Sequence, residues 1–327
     1  MLRSPSESRA AGESPRIKSR AFPENLFLRA RSWVLLGFVL LGPALFVFGW
    51  YWNYRRVDLP RRGPSGGAPP VPKMETELRL AQDKLKGDPQ DLGALVRLGV
   101  LYFERGREHY PDAINALEEA RDLGALDARV FYCLGMMYQE LGLPGFAVEE
   151  YRRYLRNSPE DREIRLLTAK LLYQQGRHAE AVGEYERLKY QHPDDRVVEE
   201  NLGLSLWAAK QYGRAAESFQ ALKTFGPVEA RRSAFYLGQL NLDQMLYNVA
   251  LEHLLRAVPG APDPAVPEEK LHAALAAVYQ KMGRVDEARR SWEKVLALAP
   301  KDVKAQVALR DLNRRHPPKK AKPSKKA

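Results

Sequence analysis

Two hydrophobic patterns divide the chain. The first is one unbroken run: the 23 residues between Arg31 and Arg55 carry no charge and are mostly apolar, from Ser32-Trp33-Val34-Leu35-Leu36 to Phe46-Val47-Phe48-Gly49-Trp50-Tyr51-Trp52. About 20 helical residues cross a hydrocarbon core roughly 30 Å thick, so 32–54 reads as a single transmembrane helix. Trp33 at one end and Trp50, Tyr51, Trp52 and Tyr54 at the other suit the two membrane interfaces. The second pattern starts near residue 90. Short segments with apolar residues at helical spacing alternate with turns marked by Gly or Pro, which predicts an all-α fold of paired amphipathic helices.

A cleaved signal peptide fits the first run poorly. Its apolar core would be roughly 7–15 residues and would end in small side chains. This run is longer, ends in bulky aromatics and follows a 31-residue leader. No comparable run follows, so a single-pass anchor is expected. Within 20 residues of the span each side carries five Lys/Arg, and only Arg3 and Arg9 tilt the balance towards a cytoplasmic N-terminus. The expected setting is a bacterial inner membrane with the folded part in the periplasm; cytoplasmic repeats are the alternative. Residues 1–31 read as a disordered basic tail and 55–72 as a linker, because the five prolines and three glycines of 57–72 cannot sustain helix or strand.

The second pattern is a repeat. Leu134-Gly135 is followed by Tyr138, Ala147, Tyr151 and Pro159. Thirty-four residues on stand Thr168-Ala169, Leu172, Ala181, Tyr185 and Pro193, and another 34 on Leu202-Gly203, Leu206, Ala215, Phe219 and Pro227. Leu237-Gly238, Asn241, Ala250, Leu254 and Pro262 follow, then Leu275-Ala276, Tyr279, Ala288, Trp292 and Pro300. An earlier copy, Leu98-Gly99, Tyr102, Ala113, Leu117 and Ala120, matches if two residues are inserted near Glu108–Tyr110. The small residue of each Leu-Gly or Leu-Ala step lets two helices approach, and the large residue four after the later Ala fills the gap. Gly142, Gly176 and Gly283 mark the turn inside a copy, and the prolines mark the turns between copies.

This pattern resembles the tetratricopeptide repeat family over about 90–300. The resemblance implies a solenoid of helical hairpins, wound as a right-handed superhelix, whose copies are stable only when stacked. The repeat domain is placed at 73–316: about six copies, an opening polar helix at 74–86, and a closing helix capped by Asp302 with Ala305, Ala308, Leu309 and Leu312 on one stripe. Residues 317–327 read as a disordered Lys-rich tail.

The formal charge of +11 does not change this picture, because residues 73–316 hold 36 basic and 37 acidic side chains. The excess lies in the tails and flanks, so nucleic acid is not expected as a partner. A single cysteine, Cys133, rules out a disulfide framework or a cysteine-based zinc site, and is expected as a buried small hydrophobe. Six scattered histidines fall in no metal spacing, and nucleotide-binding and nucleophile motifs are missing from the sequence. The chain is therefore read as non-enzymatic, with no catalytic, cofactor or metal residues.

In the family the groove is lined by positions 2, 5, 9, 12 and 13 of each first helix. Carried onto this chain, the resemblance implies a partner-binding groove containing Tyr132, Met136, Gln139, Lys170, Tyr173, Glu200, Leu204, Trp207, Phe235 and Gln239. Aromatic side chains of this kind are enriched at protein interfaces. Some of these rings can instead pack between helices. The carboxylate clamp of the family's chaperone-tail receptors is present only in pieces, such as Asn201. The expected function is a membrane-anchored scaffold that binds protein or peptide partners, in assembly or chaperoning of an envelope complex. The alternative is a cytoplasmic repeat platform within a membrane-associated biosynthetic or maturation enzyme complex. Oligomeric state is left open.

Overall fold

Fourteen α-helices follow one another in the computed structural model, which describes Leu59 and residues 71–260 and 263–317. An opening helix α1 (Val71–Gly87) precedes six hairpins: α2 (Leu92–Arg105) with α3 (Tyr110–Asp122), α4 (Ala128–Glu140) with α5 (Pro144–Asn157), α6 (Arg162–Gln174) with α7 (His178–Gln191), α8 (Arg196–Ala208) with α9 (Tyr212–Leu222), α10 (Pro227–Asp243) with α11 (Tyr247–Ala257), and α12 (Glu268–Lys281) with α13 (Val285–Leu298). Helix α14 (Val303–Arg315) closes the array, and each helix packs on the next in sequence. Among the described residues the sole β feature is an isolated bridge between Asp263 and Val266.

Aspartate sets where most first helices begin. Asp91, Asp127, Asp161, Asp195 and Asp302 each accept a backbone N–H of the first turn, from Ala94, Arg129, Ile164, Val197 with Val198, and Ala305 respectively. Each such cap stabilises a helix by about 1 kcal/mol. Ala230 occupies that place before the fifth pair and cannot cap. Helix α10 accordingly runs back to Pro227 and reaches 17 residues, so Pro227 opens a helix instead of lying in a turn.

Inside the hairpins the chain turns through a left-handed residue. Gly142, Gly176 and Gly283 take φ of 75°, 75° and 71°, as the sequence predicts. Lys210 and Met245 hold the same position in the fourth and fifth copies at φ 61° each, although they carry a Cβ. The two-residue insertion of the first copy is absorbed in a 3-10 turn, Arg107–His109.

The core is built where each small residue meets its large partner. A Cβ placed on Gly99, Gly135, Gly203 or Gly238 would fall within 2.4–2.6 Å of Leu117, Tyr151, Phe219 or Leu254. Those four side chains are fully buried. At the ends, Met74 and Leu78 of α1 cover Leu101, and α14 buries Ala305 and Leu312 while Lys304, Gln306 and Arg310 face outward. Helix α1 starts at Val71, inside the predicted linker, with Pro72 in the first turn where proline is tolerated.

The predicted tail 1–31, the span 32–54, most of the linker and residues 318–327 lie outside the described residues. No helix among the described residues is long and apolar enough to cross a membrane.

Candidate functional site

The ten groove residues sit on the first helices of four consecutive hairpins, at equivalent places in the repeat. One row runs Met136, Lys170, Leu204, Gln239, and a second runs Gln139, Tyr173, Trp207, Leu242. Their surroundings differ, because neighbouring copies engage some of them and leave others open.

In α4 the face is tied to the core beneath it. Tyr151, buried over Gly135, donates its hydroxyl to Gln139 Oε1 at 3.0 Å and lies 3.1 Å from Met136 Sδ. Burial pushes the Tyr151 phenol well above its ordinary pKa, so it stays a donor. Tyr132 is half-buried, its ring 6.2 Å from that of Tyr154.

In α6 the face opens. Lys170 is exposed and makes no ion pair among the described residues, and Tyr173 is 37% exposed with its ring 5.1 Å from His178. Leu204 of α8 continues this open stretch half-buried.

Trp207 marks its limit. The indole stands edge-on to Phe219, with centroids 6.2 Å apart at 88°, and donates Nε1–H to Asp243 at 2.9 Å. Its polar edge thus bridges the fourth and fifth copies while part of the ring meets solvent.

Glu200 and Phe235 are not open surface. Arg232 reaches back from α10 to Glu200 at 2.8 Å, and the Tyr236 hydroxyl donates to the same carboxylate at 2.6 Å. Arg232 also grips Asp263 through two bonds, of 2.7 and 2.9 Å. The guanidinium holds the Asp263 carboxyl below the usual range, while burial and the bond to Glu200 push Tyr236 up. Phe235 is 7% exposed and packs edge-on to Tyr236 at 5.8 Å, so it belongs to the core. Gln239 is half-buried beyond it. The open stretch of this face is therefore Lys170, Tyr173, Leu204 and the exposed side of Trp207, bounded by polar bridges on both sides.

The Arg232–Asp263 contact was not legible in the repeat pattern, because Asp263 lies in an irregular loop between the last two hairpins. A weaker signal exists for the other bridges. Arg162–Asp195 and Arg196–Glu229 join residues 33 apart, close to one repeat period. Cys133 is buried, and among the described residues no group of His, Cys, Asp and Glu could hold a metal ion.

The tetratricopeptide repeat models match residues 138–196, 201–266 and 269–302. No curated protein matches the chain in sequence. Among solved structures, the chain resembles the C-terminal part of a TPR repeat-containing protein from Cytophaga hutchinsonii at 18% identity and a TM-score of 0.52, over 72% of this chain and 95% of that one. It also resembles the structure of Naa15/Naa10 bound to HypK-THB, at 17% identity and a TM-score of 0.53, over 73% of this chain but only 37% of that one. At such identities the likeness is one of fold.

Proposed function

Because the chain belongs to the tetratricopeptide-repeat family, we propose that it is a protein-interaction scaffold that holds a partner segment along its first helices and is fixed to a membrane through residues 32–54. The observation that carries the groove reading is the open stretch of Lys170, Tyr173, Leu204 and Trp207, flanked on one side by Gln139, held by Tyr151 of its own hairpin, and on the other by Glu200, held by Arg232 and Tyr236 of the next copy. A cation, two amphipathic rings and an aliphatic side chain suit an extended peptide with an acidic and an apolar residue. The uncharged span and the slightly more basic leader support an inner-membrane anchor with the repeats outside the cytoplasm, where an envelope complex would supply the partner.

The groove test is photo-crosslinking from position 170 in native membranes, repeated with Trp207→Ala and Tyr173→Ala. Interface anchors of this kind typically contribute about 2 kcal/mol or more, a fall in affinity of roughly thirtyfold. Lost capture with an unchanged melting curve supports recognition; capture that persists in both variants overturns it. Orientation is tested by labelling single cysteines at 5 or 320 with an impermeant reagent in a Cys133→Ala background. Labelling at 5 but not at 320 in intact cells would reverse the assignment.

A further inference from the structure

Away from the first-helix face, the second helices α5 and α7 are separated by a cleft of roughly 520 Å³ whose floor is the side chain of Arg165 from α6. It extends along α7 past Arg187 to Tyr190 and Gln191. Gly183 faces open space in it: a Cβ built there meets nothing within 4 Å.

The lining is rich in guanidinium. Each carboxylate in it is already answered: Glu180 by Arg152 and Arg177, Glu184 by Arg165 and Arg187, Glu186 by Arg214. Arg156 is exposed and makes no ion pair among the described residues. Arg187 is 63% exposed although it touches Glu184. At the mouth stands Tyr190, 91% exposed, more than any other large hydrophobic side chain among the described residues.

Two buried polar atoms beneath have no partner among the described residues. Arg165 is 6% exposed; its Nη1 and Nη2 donate to Glu184 at 2.7 Å and to the Pro159 carbonyl at 2.6 Å, but Nε has no acceptor. Gln191 donates its amide to Glu160 at 3.0 Å, which leaves Oε1 buried without a donor. One free donor and one free acceptor in the same lobe match the C=O and N–H of one residue of an extended segment, which point to the same side. A sulfate, which carries no proton at neutral pH, would answer only the donor.

We propose that this cleft is a second docking site, for an extended protein segment carrying closely spaced carboxylates, with its backbone over Arg165 and Gln191 and its acidic side chains on Arg156 and Arg187. Guanidinium forks bind carboxylates in two-pronged fashion, and an exposed tyrosine beside them adds contact area at small entropic cost. The chain's own ends do not fit: the leader is basic and the last eleven residues hold five lysines. The site is independent of the first-helix groove, so the scaffold would join two partners.

The test uses the full chain in detergent and a fluorescein-labelled (Glu-Asp)4 peptide, read by anisotropy at moderate salt. Arg156→Ala with Arg187→Ala should raise Kd about tenfold or more, and Tyr190→Ala severalfold. Arg310→Ala, and replacement of the five tail lysines by alanine, should leave Kd within about twofold, a spread too small to signal a lost contact. The peptide should also protect Arg156 and Arg187, but not Arg310, from phenylglyoxal as read by mass spectrometry. Parent-like affinity in the double arginine variant, or loss of binding in the tail variant, overturns the proposal. So does protection by phosphatidylglycerol vesicles but not by peptide, which would assign the cleft to a lipid surface.

Discussion

The same chemical change, glycine to alanine, is expected to act with opposite signs at two helix-interior positions of neighbouring copies. At Gly135 a new Cβ would lie 2.4 Å from Tyr151 Cε1 and 2.5 Å from Cδ1, about 1 Å inside ordinary contact. The ring cannot swing aside freely, since Tyr151 is fully buried and its hydroxyl is bonded to Gln139. Overpacking of this kind costs about 1–3 kcal/mol. An overlap of about 1 Å with a ring held in place belongs to the upper part of that range, about 2–3 kcal/mol, and the gain in helix propensity returns about 1 kcal/mol, so the net loss is about 1–2 kcal/mol. Collapse is not expected, because the third and sixth copies carry Ala169 and Ala276 in the same place and both are fully buried. At Gly183 the new methyl meets nothing within 4 Å, so propensity alone acts and stability rises by about 0.5–1 kcal/mol. For a domain of this size 1 kcal/mol moves Tm by about 2–4 °C. Thermal melts followed by circular dichroism at 222 nm should therefore place Gly135→Ala about 2–8 °C below the parent and Gly183→Ala about 1–4 °C above it. A Gly135→Ala protein that melts at or above the parent would refute the account of hairpin packing.

Two further outcomes follow from the turns and the bridges. Lys210→Gly and Met245→Gly should each raise stability by about 0.5–1 kcal/mol in urea melts, because both native residues sit at φ 61°, where a Cβ is strained. Destabilisation of both would show that their side chains matter more than the turn. Asp263→Asn should cost about 1.5–3 kcal/mol at neutral pH, since it weakens charge-assisted bonds from Arg232. The Asp263 carboxyl has its pKa lowered on folding, so its contribution is complete above the unfolded value of about 3.9 and is lost as pH falls through the folded one. Parent and variant should converge below about pH 3.9; a constant gap from pH 7 to pH 3 would contradict the assignment.

Packing inside each hairpin was legible because it depends on two local features: a small residue on one helix and a large one on the next. Gly203 and Phe219, 16 residues apart, meet as the spacing requires. Helix starts were equally local, and aspartate just before four of the six hairpins is a signal as regular as the proline turns, though only Asp302 was read as a cap. The exceptions arise where that residue changes. Ala230 cannot hold the first turn, and α10 grows backward to Pro227.

Exposure on the first-helix face was less legible, because register says where a side chain points but not what the next copy places against it. Glu200 and Lys170 both belong to the face, yet Arg232 and Tyr236 close on Glu200 while Lys170 meets no carboxylate among the described residues. That difference depends on residues 32 and 36 positions away and on Asp263 in an irregular loop. Removing the bridge should therefore extend the open face. With Arg232→Ala, Glu200 loses its cation and leaves a carboxylate beside the neutral Tyr236 hydroxyl, 30 residues beyond Lys170. A segment that reads Lys170 through an acidic residue would then meet an unpaired negative charge next along the face. On the proposed groove reading the bridge bears on partner choice as well as stability, because it keeps the Glu200 carboxylate paired.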